Sequence, residues 1–174
     1  MITLIFGRTQ MGKTTLMKLL VNEHRNRLII YDSNNEYKDF GNLVYEDFKL
    51  LIHRIQKKDF PIRFYTSDSD KFFSFLASVK NYTLCVDELH TYADSNECPK
   101  SLKELIRRHA HIQMEFFGAA QRISTVHRSL RSQAHRVITF NQVDFEDLKI
   151  VEKSGFDPDE VCNLKKFKYI IKRY

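Results

Sequence analysis

The chain has 174 residues, 43% of them hydrophobic and 29% charged, with a formal net charge of +6. That length and balance specify one globular domain, 1–174, with a core of its own, and exclude a disordered or low-complexity chain. No apolar run reaches membrane-spanning length and no charged leader precedes the first apolar segment, so no membrane span and a cytoplasmic location are expected.

In chain order, Ile2-Thr3-Leu4-Ile5-Phe6 is a short β-prone run, and the residues from Thr14 to Val21 are helical in composition. Between them stands GRTQMGKTT, residues 7–15, which fits G-x-x-x-x-G-K-[ST] in the strand–loop–helix setting that this pattern requires. Gly7 and Gly12 let the backbone curl so that the amides of Arg8, Thr9, Gln10, Met11, Gly12, Lys13, Thr14 and Thr15 can face phosphate oxygens. Lys13 is expected to reach the β- and γ-phosphates, and the Thr14 hydroxyl to ligate Mg²⁺. ATP and Mg²⁺ are therefore the expected cofactors. Further strands are expected at 27–32, 61–66, 82–87, 112–120, 136–140 and 167–173, with helices near 46–58, 69–80, 99–109, 144–153 and 157–164. This alternation predicts an α/β fold with a mainly parallel sheet and helices on both faces.

The strand YTLCVDEL, 82–89, ends in two carboxylates. Asp87 is placed to hold the metal through its water shell, and Glu88 to orient and deprotonate an attacking water, which points to hydrolysis. Gln121 ends the apolar run that starts at Met114, the strand end at which parallel sheets bind ligands, and is expected to sense the γ-phosphate or the attacking water. Between Lys100 and Arg136 there are eight Lys or Arg against two acids, and Lys165, Lys166, Lys168, Lys172 and Arg173 form a second basic run. Each run reads either as a solvated basic face or as a polyanion-binding surface. Cys85, Cys98 and Cys162 lack C-x-x-C spacing and are expected to be free thiols. His109 and His111 have no nearby Cys or carboxylate to complete a zinc site, and Phe72, Phe73, Phe75 and Leu76 read as core.

The set GRTQMGKT, LCVDE, RRHAHIQMEFFGAAQR and SLRSQAHRVITF, with YDSNNEY at 31–37, resembles the FtsK–HerA superfamily of DNA-pumping ATPases. Within it the small virus-encoded genome-packaging ATPases are similar in size. The resemblance spans residues 2 to about 150. It implies a P-loop NTPase core of the additional-strand, catalytic-glutamate type, with one strand between those bearing Gly7 and Asp87. It also implies a homo-oligomeric ring around double-stranded DNA, gripped without sequence specificity through segments 100–136 and 165–173. Its catalytic set is Lys13, Glu88, Gln121 and an arginine acting in trans, Arg108 or Arg107. The stretch from Arg108 to Gln121 is about two residues longer than the family's pattern, which leaves both arginines as candidates. A viral packaging motor of the host cytoplasm or virion, docked on a capsid or portal protein, is the function so implied. A P-loop kinase of a nucleotide or small molecule, and an ATP-dependent assembly or secretion factor, are the alternatives.

Overall fold

The computed structural model describes residues 1–174. Its strands are β1 (Ile2–Phe6), β2 (Leu28–Tyr31), β3 (Leu43–Tyr45), β4 (Ile62–Tyr65), β5 (Tyr82–Val86), β6 (Met114–Ala120), β7 (Arg136–Thr139) and β8 (Ile170–Arg173). They form one sheet in the order β3-β4-β2-β5-β6-β1-β7-β8. All neighbours are parallel except β8, which runs antiparallel along β7 as an edge strand. β6 lies between β5 and β1, the inserted strand that the family resemblance implies.

The helices are α1 (Lys13–Asn22), α2 (Phe48–Lys57), α3 (Ser69–Leu76), α4 (Lys100–Arg107), α5 (Arg128–Arg131), α6 (Phe145–Lys153) and α7 (Pro158–Cys162). Asp47, Asp68, Asp144 and Asp157 cap α2, α3, α6 and α7 by accepting a backbone N–H of the first turn. α1 differs, starting at Gly12 in a left-handed conformation with no side-chain cap. Its first-turn donors stay free.

Helices lie on both faces, as expected, but very unequally. α2 to α7 all bury residues in a cluster of 33, built on Leu4, Phe6, Tyr31, Phe64, Leu84 and Phe116 from the strands. Phe72, Phe73 and Leu76 of α3 are fully buried there, and Phe72 stacks on Tyr31 with centroids 4.6 Å apart. The other face carries α1 alone, whose Leu16, Met17 and Val21 join Ile5, Ile30, Cys85, Phe117 and Ile138 in a cluster of 13, with Tyr37 and Phe40 from the loop after β2. This imbalance, the three-residue β3 and the single turn of α5 depart from the expected pattern. Short elements carry too few residues for a period to show. The helix expected over 69–80 ends at Leu76, and the closing strand begins at Ile170 instead of 167. All three cysteines are free thiols.

Candidate active site

β1 delivers Gly7 to the top of the sheet, where its N–H donates to Ala120 O of β6 at 3.3 Å and Arg8 N donates to Asn141 O after β7 at 3.3 Å. The loop is thereby fastened on both flanks. A Cβ on Gly7 would overlap Phe140, and one on Gly12, at φ 108°, would come within 2.6 Å of Phe167 Cδ1. Both glycines are thus sterically required. The backbone N–H groups of Gln10 and Gly12 meet no protein acceptor, and those of Lys13, Thr14 and Thr15 open α1 in the same state. Free amides converging at an uncapped helix N-terminus make an anion cradle.

Lys13 is nearly buried and its amine donates to Arg8 O at 3.1 Å, across the mouth of the loop. Burial pushes its pKa down, while the carboxylates of Glu88, Asp87 and Glu36 pull it up. The Thr14 hydroxyl stands 3.4 Å from Asp87 Oδ2, so hydroxyl and carboxylate meet at one point although 73 positions separate them in sequence. Asp87 is buried, and desolvation raises its pKa. Its Oδ2 accepts the Tyr37 hydroxyl at 2.9 Å and its Oδ1 accepts the backbone N–H of Glu88 at 2.9 Å. One hydroxyl beside one carboxylate suits Mg²⁺, which keeps most of its shell for water and substrate phosphate oxygens. No cluster of three or more His, Cys, Asp or Glu offers a protein-only metal cage.

Glu88 sits on left-handed backbone, φ 51°, where β5 breaks off. Its Oε2 is buried, 3.3 Å from His90 Nδ1, yet makes no well-directed hydrogen bond. A carboxylate oxygen held without a donor is what a water molecule would satisfy. Gln121, at the end of β6, is within reach of the loop, its Oε1 accepting the Thr9 hydroxyl at 3.2 Å. The structure therefore gathers Lys13, Thr14, Asp87, Glu88 and Gln121 around the phosphate loop.

Arg107 and Arg108 are not in it. They end α4, and the chain then enters β6 at its first residue, Met114, whereas Gln121 follows its last. A strand of that length rises roughly 20 Å, so both arginines lie at the opposite end of the strands from the loop. Arg107 is forked on Glu104, with bonds of 2.9 and 2.7 Å, and Arg108 makes no ion pair.

Nor do the eight cations of 100–136 share a surface. Arg122 is tied to Asp144 and to buried Asp147, and Arg136, the first residue of β7, donates to the Thr3 hydroxyl. Arg128 and Arg131 instead line an open groove of about 540 Å³ with Lys153, Ser132 and Ser154, and no acid is present in its walls. The second basic run is divided as well. Lys165, Lys166 and Lys168 surround a turn on the phosphate loop, and Lys172 and Arg173 belong to β8.

Sequence reasoning missed the brace behind Asp87. Asp32, at the end of β2, forms a buried ion pair with Arg63 of β4 at 2.7 Å and accepts the backbone N–H groups of Glu36 and Tyr37. Arg63 also holds Gly41 O at 2.6 Å and Asn35 Oδ1. The loop between β2 and β3 is thereby pinned so that Tyr37 meets Asp87.

The loop, the metal-side pair and the strand inserted between β1 and β5 define a P-loop NTPase fold of the additional-strand type. Solved structures share it. The genome packaging NTPase B204 from Sulfolobus turreted icosahedral virus 2, in complex with ATP-gammaS, superposes with a TM-score of 0.82 at 21% identity, covering 99% of this chain and 91% of that one. The DNA-packaging ATPase B204 from Sulfolobus turreted icosahedral virus gives 0.76 at 20% identity, covering 99% and 91%. The N-terminal domain of zonular occludens toxin from Neisseria meningitidis gives 0.56 at 14% identity, covering 99% and 92%. No protein-family model and no curated protein matches the chain.

Proposed function

We propose that the protein is an ATP-hydrolysing translocase of double-stranded DNA, a viral genome-packaging motor that works as a ring. The observation carrying this reading is the convergence of the amide cradle, the Thr14–Asp87 pair and the Glu88 oxygen, which makes no well-directed hydrogen bond, around one loop. The likeness of fold to B204, whose structures include a complex with ATP-gammaS and which is described as a DNA-packaging ATPase, supports it.

In this reading the free amides and Lys13 bind the β- and γ-phosphates, and Lys13 exchanges its bond to Arg8 O for phosphate oxygens. Thr14 and Asp87 would hold Mg²⁺, which would supply positive charge against the phosphates. Glu88 accepts a proton from the attacking water, and Gln121 orients that water or the γ-phosphate. Transition-state charge calls for an arginine. A neighbour's Arg108, presented head-to-tail from the opposite end of the strands, would supply it, with Arg107 held back by Glu104. Lys153 with Arg128 and Arg131 would grip the phosphate backbone without reading bases.

The test is hydrolysis with duplex DNA, free nucleotides or an acidic protein added. Stimulation by duplex DNA, together with binding that weakens steeply with salt, is expected. Neutralising Arg128 and Arg131 together should flatten the salt slope. Phosphoryl transfer to an added nucleotide would identify a kinase instead, and indifference to DNA at every length would end the translocase reading.

A further inference from the structure

The phosphate loop has two flanks. On one side β6 and β5 present Gln121 and Asp87; on the other stand β7 and β8. Base and terminal phosphate are the two ends of a nucleoside triphosphate. If the terminal phosphate lies at Thr14, Asp87 and Gln121, the base must leave over the β7–β8 flank.

That flank is aromatic. Phe140, buried, underlies Gly7, and the Tyr169 ring, 42% exposed, lies against it at 5.4 Å between centroids. Phe167 is 57% exposed, so it is no core residue, yet its position is tightly defined. Its ring packs on Gly12, its N–H donates to Met11 O at 3.0 Å, and its backbone is left-handed at φ 64°. Lys168 N closes the turn on Lys165 O at 3.0 Å. Upstream, the Asn141 side chain holds Cys162 O at 2.6 Å while its own carbonyl holds Arg8 N. An aromatic ring half in water is thus built onto the phosphate loop, on the side opposite the metal-side carboxylate.

We propose that Phe167, with Tyr169 beside it, is the platform on which the nucleobase stacks. The inference rests on the triphosphate reading of the loop. Stacking needs only a π face, and Lys166 Nζ, now 5.1 Å from the Phe167 centroid, marks that face as reachable by a ligand. Assigned in this way, the turn at 165–168 serves the nucleotide, not the DNA.

The test compares ATP with inorganic tripolyphosphate, which has the phosphates and no base, both with Mg²⁺ and by calorimetry. Phe167→Ala should weaken ATP about tenfold, within the range of a lost base–aromatic stack, and leave tripolyphosphate unchanged. Phe167→Tyr should keep ATP affinity. The chain contains no tryptophan, so emission from Phe167→Trp reports on this position alone, and ATP but not tripolyphosphate should quench it. Equal weakening of both ligands by Phe167→Ala would mean that the ring only shapes the loop, and would overturn the proposal. So would unchanged ATP affinity with unresponsive emission. Wild type binding both ligands equally would remove the platform and keep the phosphate site, whereas binding neither would remove both.

Discussion

Arg63→Ala tests whether the site depends on a brace that touches no substrate. Arg63 and Asp32 are 3% and 1% exposed, so deleting the guanidinium strands a carboxylate in the interior. Removing one partner of such a pair costs about 3–5 kcal/mol. At roughly 2–4 °C per kcal/mol for a domain of this size, the melting temperature of the nucleotide-free chain should fall by about 6–20 °C. Gly41 O and Asn35 lose their donor in the same step, so the loop that brings Tyr37 to Asp87 is released. Thermal and urea unfolding give the first quantity, and Mg²⁺-dependent hydrolysis below the new transition gives the second. Asp32→Leu with Arg63→Met should recover much of the stability, because no charge is left uncompensated. Activity should stay low, because Asp32 also holds the N–H groups of Glu36 and Tyr37. A loss below about 1 kcal/mol in Arg63→Ala, the range of exposed pairs, would refute the reasoning.

Lys13→Ala should abolish tight ATP binding, whereas Glu88→Gln should keep binding and stop turnover; nucleotide affinity and single-turnover hydrolysis, measured separately, check this. Burial raises the Asp87 pKa, so the native chain holds that proton more tightly than the unfolded chain does. Stability of the empty protein should therefore rise as pH falls through the raised value. Asp87→Asn should flatten that slope and raise the melting temperature at neutral pH while abolishing metal-dependent turnover, as melting curves across pH will show. Arg108→Ala mixed with Lys13→Ala should regain hydrolysis at interfaces where an intact loop meets an intact arginine. Two inactive variants that co-assemble without regaining activity would retire Arg108.

Most of the cleft could be read in the sequence because its parts are local patterns. GRTQMGKTT and LCVDE each carry their own strand, turn and spacing, and alternation along the chain is enough to foresee a mainly parallel sheet, whereas the inserted strand is implied only by the family resemblance. What escaped was contact across sequence. Tyr37 and Asp87 are 50 positions apart, Asp32 and Arg63 are 31 apart, and no periodicity links them. The run KKFK reads as charge, which hides Phe167. The basic stretch 100–136 looks continuous because linear proximity hides that Arg122 is tied to Asp144 and Asp147 and Arg136 to Thr3, while Arg128 and Arg131 line the open groove. Tyr37 was within sight, since YDSNNEY was already singled out, but only the fold shows where its hydroxyl points.

α1 is the one α-helix on its face of the sheet, anchored by Leu16, Met17 and Val21 beside Tyr37 and Phe40. Full burial of three such side chains supplies only roughly 5–9 kcal/mol before the entropy of ordering the helix is counted. The other face is shared among six helices. A bound triphosphate would add charge-assisted bonds at the very end of α1 that lacks a cap, and so would act as a detachable keystone for that side of the molecule. Each cycle of loading and release would then tighten and slacken one half of the domain while the other stays rigid. Amide exchange should register this asymmetry as α1 protons that open early in the empty chain and become protected, saturably, by nucleotide, while those of α3 and α4 hardly change.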